Sequence, residues 1–300
     1  MELTEKELRN LVKESIREII SEDNGYVLNE GVSYDEISDS FTFNFVQDNE
    51  TDIIPLQKKI YQVSAFGHCY YYAYEFSNNV DSKKRTAFIH SLKFPDGKIS
   101  QNDKKTFIMN AVDKLDREIS LPKYKLLIYP ESMSELNRDM LKYLNRFAAP
   151  DVISMELVKA LPSKIGFNYA RFRMEILDAK LPDGRNRYTE KQKDGVISNI
   201  QQMIDKIHSL DYFSIARNVK KNKYRQYISN YYTFKTPQDE KLYKEITQTD
   251  VLIIDDIATP GTTISNILNC LRLLNDTNNI TIFSLIGKEI EICKSTGILR

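Results

Sequence analysis

Tryptophan is absent from this chain of 300 residues, and cysteine occurs three times. Cys69, Cys270 and Cys293 form an odd, widely spaced set, which argues against both a disulfide framework and a cysteine-based zinc site. Net charge is missing too: 42 Lys plus Arg balance 42 Asp plus Glu, so no overall field draws the chain to nucleic acid or a membrane surface. Any affinity for anions has to be local. No apolar run is long enough to span a bilayer, and the first residues are too charged for a signal peptide. The expectation is a cytoplasmic protein without repeats or low-complexity linkers.

What is present is the material of a folded core. Hydrophobic residues make up 41% of the chain, with 18 Tyr and 14 Phe, enough for one large or two modest domains. The opening segment, residues 1–24, reads as an amphipathic helix: Thr4 and Glu7 fit a capping box, Gly25 marks a stop, and Leu8, Leu11, Val12, Ile16, Ile19 and Ile20 form one stripe. Its mixed Glu and Lys face suits packing or a partner better than a membrane.

Residues 25–120 read as a smaller α+β region. Thr42–Phe45, Tyr61–Phe76 and Thr86–Phe94 are rich in aromatic and β-branched residues, which predicts antiparallel strands. Asp103–Ile119 has helical spacing. His68 and His90 fall in the strand-like stretches without carboxylate or cysteine partners at ligand spacing, so they read as ordinary structural histidines.

After Leu121-Pro122 the pattern becomes one of strands alternating with helices. Lys125–Pro130, Asp151–Ala160, Val251–Asp255 and Ile280–Ile286 read as strands. Leu136–Leu144, Val196–Ile207 and Thr263–Leu274 read as helices. Such alternation predicts an α/β fold over residues 121–300: a mostly parallel sheet with helices on both faces.

One stretch stands out, VLIIDDIATPGTTISNIL from Val251 to Leu268. A buried strand runs straight into Asp255-Asp256, then a Thr/Gly turn and a helix. Ligands of parallel sheets bind where strand ends meet helix starts. Thr259, Gly261, Thr262 and Thr263 offer hydroxyls, close backbone approach and helix N–H groups to a phosphate. Pro260 withdraws one N–H from that set. The two carboxylates suit hydroxyl groups or a divalent ion.

This stretch resembles the phosphoribosyl pyrophosphate (PRPP) signature of type I phosphoribosyltransferases: apolar strand, two acidic residues, two apolar residues, then a Thr/Ser-Gly-x-Thr loop. Pro260 stands where that pattern usually has Thr or Ser. The resemblance implies a phosphoribosyltransferase-like core, with Asp255 and Asp256 holding the ribose hydroxyls and the next loop the 5′-phosphate. It implies Mg²⁺ bridging pyrophosphate and ribose, PRPP and a small nitrogen acceptor as substrates, and commonly a homodimer. It also places a pyrophosphate loop after the first core strand, which here is Glu131, Ser132, Met133 and Ser134, directly before a helix. A plain helix cap at Ser132 or Ser134 is the competing reading.

Cations for the pyrophosphate are offered by Arg217–Arg225, where Lys223 and Arg225 are the candidates. Lys159, Lys164, Arg171 and Arg173 are rivals, in a Pro/Gly-containing stretch at the place of the family's mobile loop. The Y-P-x-S loop followed by Leu136-Asn137, the segment Lys223-Tyr224-Arg225 and the closing Ile286-Gly287-Lys288 are similar to a phage- and mobile-element-encoded branch of these proteins. The acceptor hood is expected within residues 25–120, where Tyr70, Tyr71, Tyr72 or Phe76 are candidates for stacking on a base, although such a run is more often a packed strand. A non-catalytic module that binds PRPP or a nucleotide is the alternative to a transferase, and a nucleic-acid partner the third choice.

Overall fold

The computed structural model describes residues 30–44, 53–56, 60–65, 67–78, 80–132, 134–181, 183–219, 222–225, 227–257 and 262–287. The amphipathic stretch 1–24 lies outside them. Twelve strands are described: β1 (Glu30–Asp35), β2 (Ser40–Asn44), β3 (Ile54–Leu56), β4 (Tyr61–Ala65), β5 (His68–Tyr74), β6 (Leu126–Pro130), β7 (Ile153–Lys159), β8 (Gly166–Phe167), β9 (Ile228–Ser229), β10 (Tyr232–Phe234), β11 (Asp250–Ile257) and β12 (Asn279–Ile286). The longer helices are α1 (Ser82–Lys93), α2 (Gln101–Glu118), α3 (Leu136–Leu144), α4 (Glu190–His208), α5 (Pro237–Glu245) and α6 (Thr262–Leu274).

Seven strands form one sheet in the order β10-β7-β6-β11-β12-β5-β4. The inner pairs β7–β6, β6–β11, β11–β12 and β12–β5 are parallel, and both edges are antiparallel. Val251, Leu252, Ile253 and Ile254 are all fully buried. A continuous apolar run is what a central parallel strand needs when helices cover both its faces. Alternate residues divide between two cores: Val251 and Ile253 pack with Tyr70, Tyr72 and Ile282, while Leu252 and Ile254 pack with Tyr71, Ala73 and Phe283.

One expectation for residues 25–120 needs correction. Thr86–Lys93 lies in α1 and Phe94 is its C-cap, so this stretch is not a strand and His90 is helical as well. Its aromatic and β-branched residues mimic a strand, but the buried Phe88, Ser91 and Leu92 follow helical spacing, and Asp81 caps the start by accepting from Lys83 N. The seven-stranded sheet also takes in two strands from before residue 120. The β4–β5 hairpin, turned at Gly67 with φ +80°, adds β5 in parallel to β12. The antiparallel strands β2-β1-β3 form a second sheet, whose Val32, Phe41 and Ile54 pack into the same core as Tyr74 and Phe107. Tyr70 to Tyr74 are packed strand residues, at most 7% exposed, and offer no free platform.

Helix α3 follows β6 and packs Leu136, Met140 and Leu144 on one face of the sheet. Helix α6 follows the neighbouring strand β11 and packs Ile264, Ile267, Leu268 and Leu271 on the other. Adjacent parallel strands whose helices leave for opposite faces open a crevice at their carboxyl ends, the place where open α/β sheets bind ligands. Residues 160–231 thicken the α6 side of the core with Ile165, Phe167, Phe172, Ile200, Ile204, Tyr227 and others. The stretch at the expected mobile loop is therefore packed: a 3₁₀ turn at Pro162–Lys164, β8, and a helical turn at Tyr169–Phe172.

Candidate active site

The crevice between β6 and β11 is a cleft of about 400 Å³. The sequence-predicted Glu131, Ser132, Ser134, Arg225, Asp255, Asp256 and Thr263 all line it, although they come from four separate parts of the chain. Met133, Thr259 and Gly261 lie outside the described residues. Thr262 opens α6 and Lys223 sits in the helical turn Asn222–Arg225, but their side chains also lie outside the description.

Asp255 and Asp256 end the central strand, only 3% and 5% exposed. Strand alternation sends them to opposite sides. Asp255 follows Val251 and Ile253 toward the α6 side, in register with Ser284 of β12. Asp256 turns to the α1 side, where Lys93 Nζ lies 2.7 Å from its Oδ2. This is a charge contact rather than an aligned hydrogen bond, because Asp256 Oδ2, like Asp255 Oδ2, has no hydrogen-bond partner. The other oxygens cap the strand end: Asp255 Oδ1 accepts from Asp256 N at 3.1 Å, and Asp256 Oδ1 from Ile257 N at 2.6 Å. Burial, and next the neighbouring Asp256 charge, push the Asp255 carboxyl well up from its ordinary range, and Lys93 partly offsets this.

The serine loop forms the opposite wall. Ser132 Oγ and Ser134 Oγ lie 3.2 Å apart, and Ser134 N donates to Ser132 Oγ at 3.3 Å. The cap reading of these serines fails, because Glu135 is the N-cap of α3 and makes no side-chain cap bond. The first N–H groups of α3 are thus left without a capping side chain. Asn137, 2% exposed, braces the loop by donating from Nδ2 to Pro130 O at 3.0 Å.

Cations come from three directions: Lys93 at the end of α1, Lys159 at the end of β7, and Arg225. Lys159 donates to the Tyr212 hydroxyl at 2.7 Å, and Arg225 Nε donates to Val219 O at 2.9 Å. Of the rivals, Lys164, Arg171 and Arg173 are not among the lining residues. Arg171 pairs with Glu175 at 2.8 Å, and Arg173 lies 3.5 Å from Asp178. Tyr232 closes the wall beside Asp255 and lines the cleft together with Thr263. Burial first, then the Asp255 charge, raises its phenol far above the ordinary value.

Lys93, Phe94, Asn137, Tyr231 and Tyr232 are cleft residues that sequence reasoning missed. Lys93 ends the helix read as a strand and Phe94 caps it, so no periodicity pointed their side chains at the cleft. Tyr231 and Tyr232 stand in a conspicuous aromatic stretch, which could have drawn attention to them. Among the described residues no group of three or more His, Cys, Asp and Glu side chains gathers at metal-binding distance. None of the described helices is long and apolar enough to cross a membrane.

No family model matches the chain, and no curated protein matches it. Among solved structures, the chain is similar to a hypoxanthine phosphoribosyltransferase from Staphylococcus aureus at TM-score 0.31 and 13% identity, over 62% of this chain and 65% of that one. This is just under two thirds of that protein's length. It is also similar to an adenine phosphoribosyl transferase from Trypanosoma brucei, solved with AMP, pyrophosphate and ribose-5-phosphate, at TM-score 0.31 and 9% identity, over 80% and 91%. Likenesses of this size carry no weight for activity, which has to be argued from the cleft.

Proposed function

We propose that the cleft binds PRPP and transfers its phosphoribosyl group to a nitrogen acceptor, releasing pyrophosphate. The observation that carries this reading is the crevice itself: a buried acidic pair between two strand-to-helix connections that leave for opposite faces, with Lys93, Lys159 and Arg225 around it. Two carboxylates suit the ribose hydroxyls. The threonines at the start of α6 suit the 5′-phosphate, and Ser132 and Ser134 with the α3 N–H groups suit the pyrophosphate. Residues 121–300 would then hold the sugar phosphate, while the earlier part reaches the cleft through Lys93 and Phe94.

In this reaction the bond from the anomeric carbon to the pyrophosphate oxygen breaks, and its electrons leave with the pyrophosphate. A bond from the acceptor nitrogen to the same carbon forms. Asp255 and Asp256 stabilise the positive charge that develops on the sugar between these events, and the cations meet the departing pyrophosphate. The donor set fits Mg²⁺, being hard carboxylate oxygens with Asp255 Oδ2 unpartnered. Bound with PRPP, Mg²⁺ would neutralise phosphate charge and orient the leaving group. Asp255 and Asp256 are the residues that would hold it.

A second reading, a regulatory module that binds PRPP or a nucleotide without turnover, draws on Pro260 in the phosphate turn and on the Lys93 contact that already engages Asp256. Calorimetry with PRPP and Mg²⁺ tests both. Binding is expected, weakened about tenfold or more by Asp255→Asn or Asp256→Asn through lost charged hydrogen bonds. No binding, or binding indifferent to those changes, overturns both readings. A panel of nucleobases then decides between them: pyrophosphate release marks the transferase, and its absence with every base marks the regulator.

A further inference from the structure

Lys93 stands out because it reaches the acidic pair from a helix on the far side of the sheet order. It is the last residue of α1, and its side chain is 24% exposed against 7% for Asp256. Among the described residues it makes the one ion pair recorded for either aspartate. Around that contact the polar groups are unsatisfied. Asp255 Oδ2 and Asn137 Oδ1 are buried, belong to lining residues of the cleft, and have no hydrogen-bond partner, while Asp256 Oδ2 has the Lys93 contact alone. A buried carboxylate oxygen without a donor is a costly arrangement unless something binds there.

An ammonium group 2.7 Å from Asp256 Oδ2 occupies the space that a metal ion on that oxygen would need. We propose that Lys93 is a tethered cation that competes with free divalent metal for Asp256. The inference rests on reading the acidic pair as a ligand site, and does not require turnover.

The physical logic is one of unequal competition. Mg²⁺ and Mn²⁺ bind through one or two carboxylates together with water and ligand phosphates. Alone, the ion has only the two aspartates to gain and must displace an intramolecular ion pair. Arriving on a polyphosphate, it brings further oxygens and a negative charge for the displaced ammonium to meet. Lys93 also has another resting place. It sits in the last turn of α1, whose carbonyl end carries partial negative charge and favours a cation. Lys93 therefore keeps a counter-charge within reach in both positions, and Asp256 keeps a cation.

Titration of Mn²⁺ into ligand-free full-length protein, following the free-ion signal by electron paramagnetic resonance, tests this with metal alone. Lys93→Met is expected to bind Mn²⁺ about tenfold more tightly than the parent protein, the size of an ordinary coupling between two ligands of one site. Lys93→Arg keeps the charge and should stay near the parent. The double change Lys93→Met/Asp256→Asn should lose the gain. Equal affinity in Lys93→Met and the parent overturns the proposal, as does a gain that survives Asp256→Asn. Lys93→Gln repeats the comparison if the Met variant does not fold, which thermal melting will reveal. Failure of PRPP binding would overturn the transferase reading without altering this metal-only comparison, and a failure here would leave PRPP binding standing.

Discussion

Asp255 and Asp256 are neighbours in the chain and face opposite sides of the central sheet. Asp255 is set among Tyr70, Tyr232 and Ser284, while Asp256 meets Lys93. One strand end thereby offers two acidic groups with different surroundings to a single cleft. Asp256 has a cation beside it, and Asp255 is held upward by burial.

That difference gives a pH signature. A carboxyl raised in the folded protein holds a proton that the unfolded chain has already released. Its contribution to stability is full below the ordinary carboxylate range, about pH 4, and is lost as pH rises. For Asp255 the loss runs through about 8. Asp255→Asn has no proton to lose, so its advantage over the parent protein should grow from pH 4 to pH 9. Urea midpoints at pH 4, 6 and 9 check this; a constant difference would refute it.

Asn137 ties the serine loop to the sheet through Pro130 O while buried at the start of α3. Asn137→Ala removes that donor and leaves a buried carbonyl unpaired, which costs about 1–3 kcal/mol. Denaturant unfolding should show the loss. The loosened loop should also bind inorganic pyrophosphate more weakly in calorimetry.

Gly287 closes β12 by donating from its N–H to Tyr74 O at 2.9 Å. A Cβ at this position would lie 2.5 Å from Tyr72 Cγ and 2.6 Å from Tyr72 Cβ, and would also strike the Tyr70 hydroxyl. The ring base of a packed strand residue cannot swing aside. Gly287→Ala should therefore destabilise the protein by about 1–3 kcal/mol, the usual effect of overpacking, read as a lower melting temperature.

Phe172 is fully buried with its ring 5.6 Å from Tyr224 and 5.0 Å from Tyr227, both nearly perpendicular. Phe172→Ala should cost about 3–5 kcal/mol through the cavity left behind. Because Tyr224 precedes Arg225, the change should also weaken phosphate binding more than Ile204→Ala, a core truncation in α4 whose residue is not among the lining residues of the cleft.

Local chemistry made much of this protein legible in its sequence. The run Val251–Ile254 reads as a strand covered on both faces, and the acidic pair followed by a Thr/Gly turn reads as a ligand position at its carboxyl end. The helices Gln101–Glu118 and Thr262–Leu274 carry apolar stripes at the helical period and were readable, as was Val196–Ile207 within the longer helix Glu190–His208, whose polar first turns gave no stripe. Thr86–Phe94 misled because aromatic and β-branched residues favour strands in general, whereas here a cap at Asp81 and burial of one face decide for a helix.

Long-range pairing had no local sign at all. Ser284 meets Tyr72 across more than two hundred residues, which placed the β4–β5 hairpin in the same sheet as the acidic pair. Only the tertiary structure sent α3 and α6 to opposite faces and opened the crevice. It alone carried Lys93 to Asp256, because a side-chain contact between distant segments depends on how whole elements pack and leaves no period in the chain.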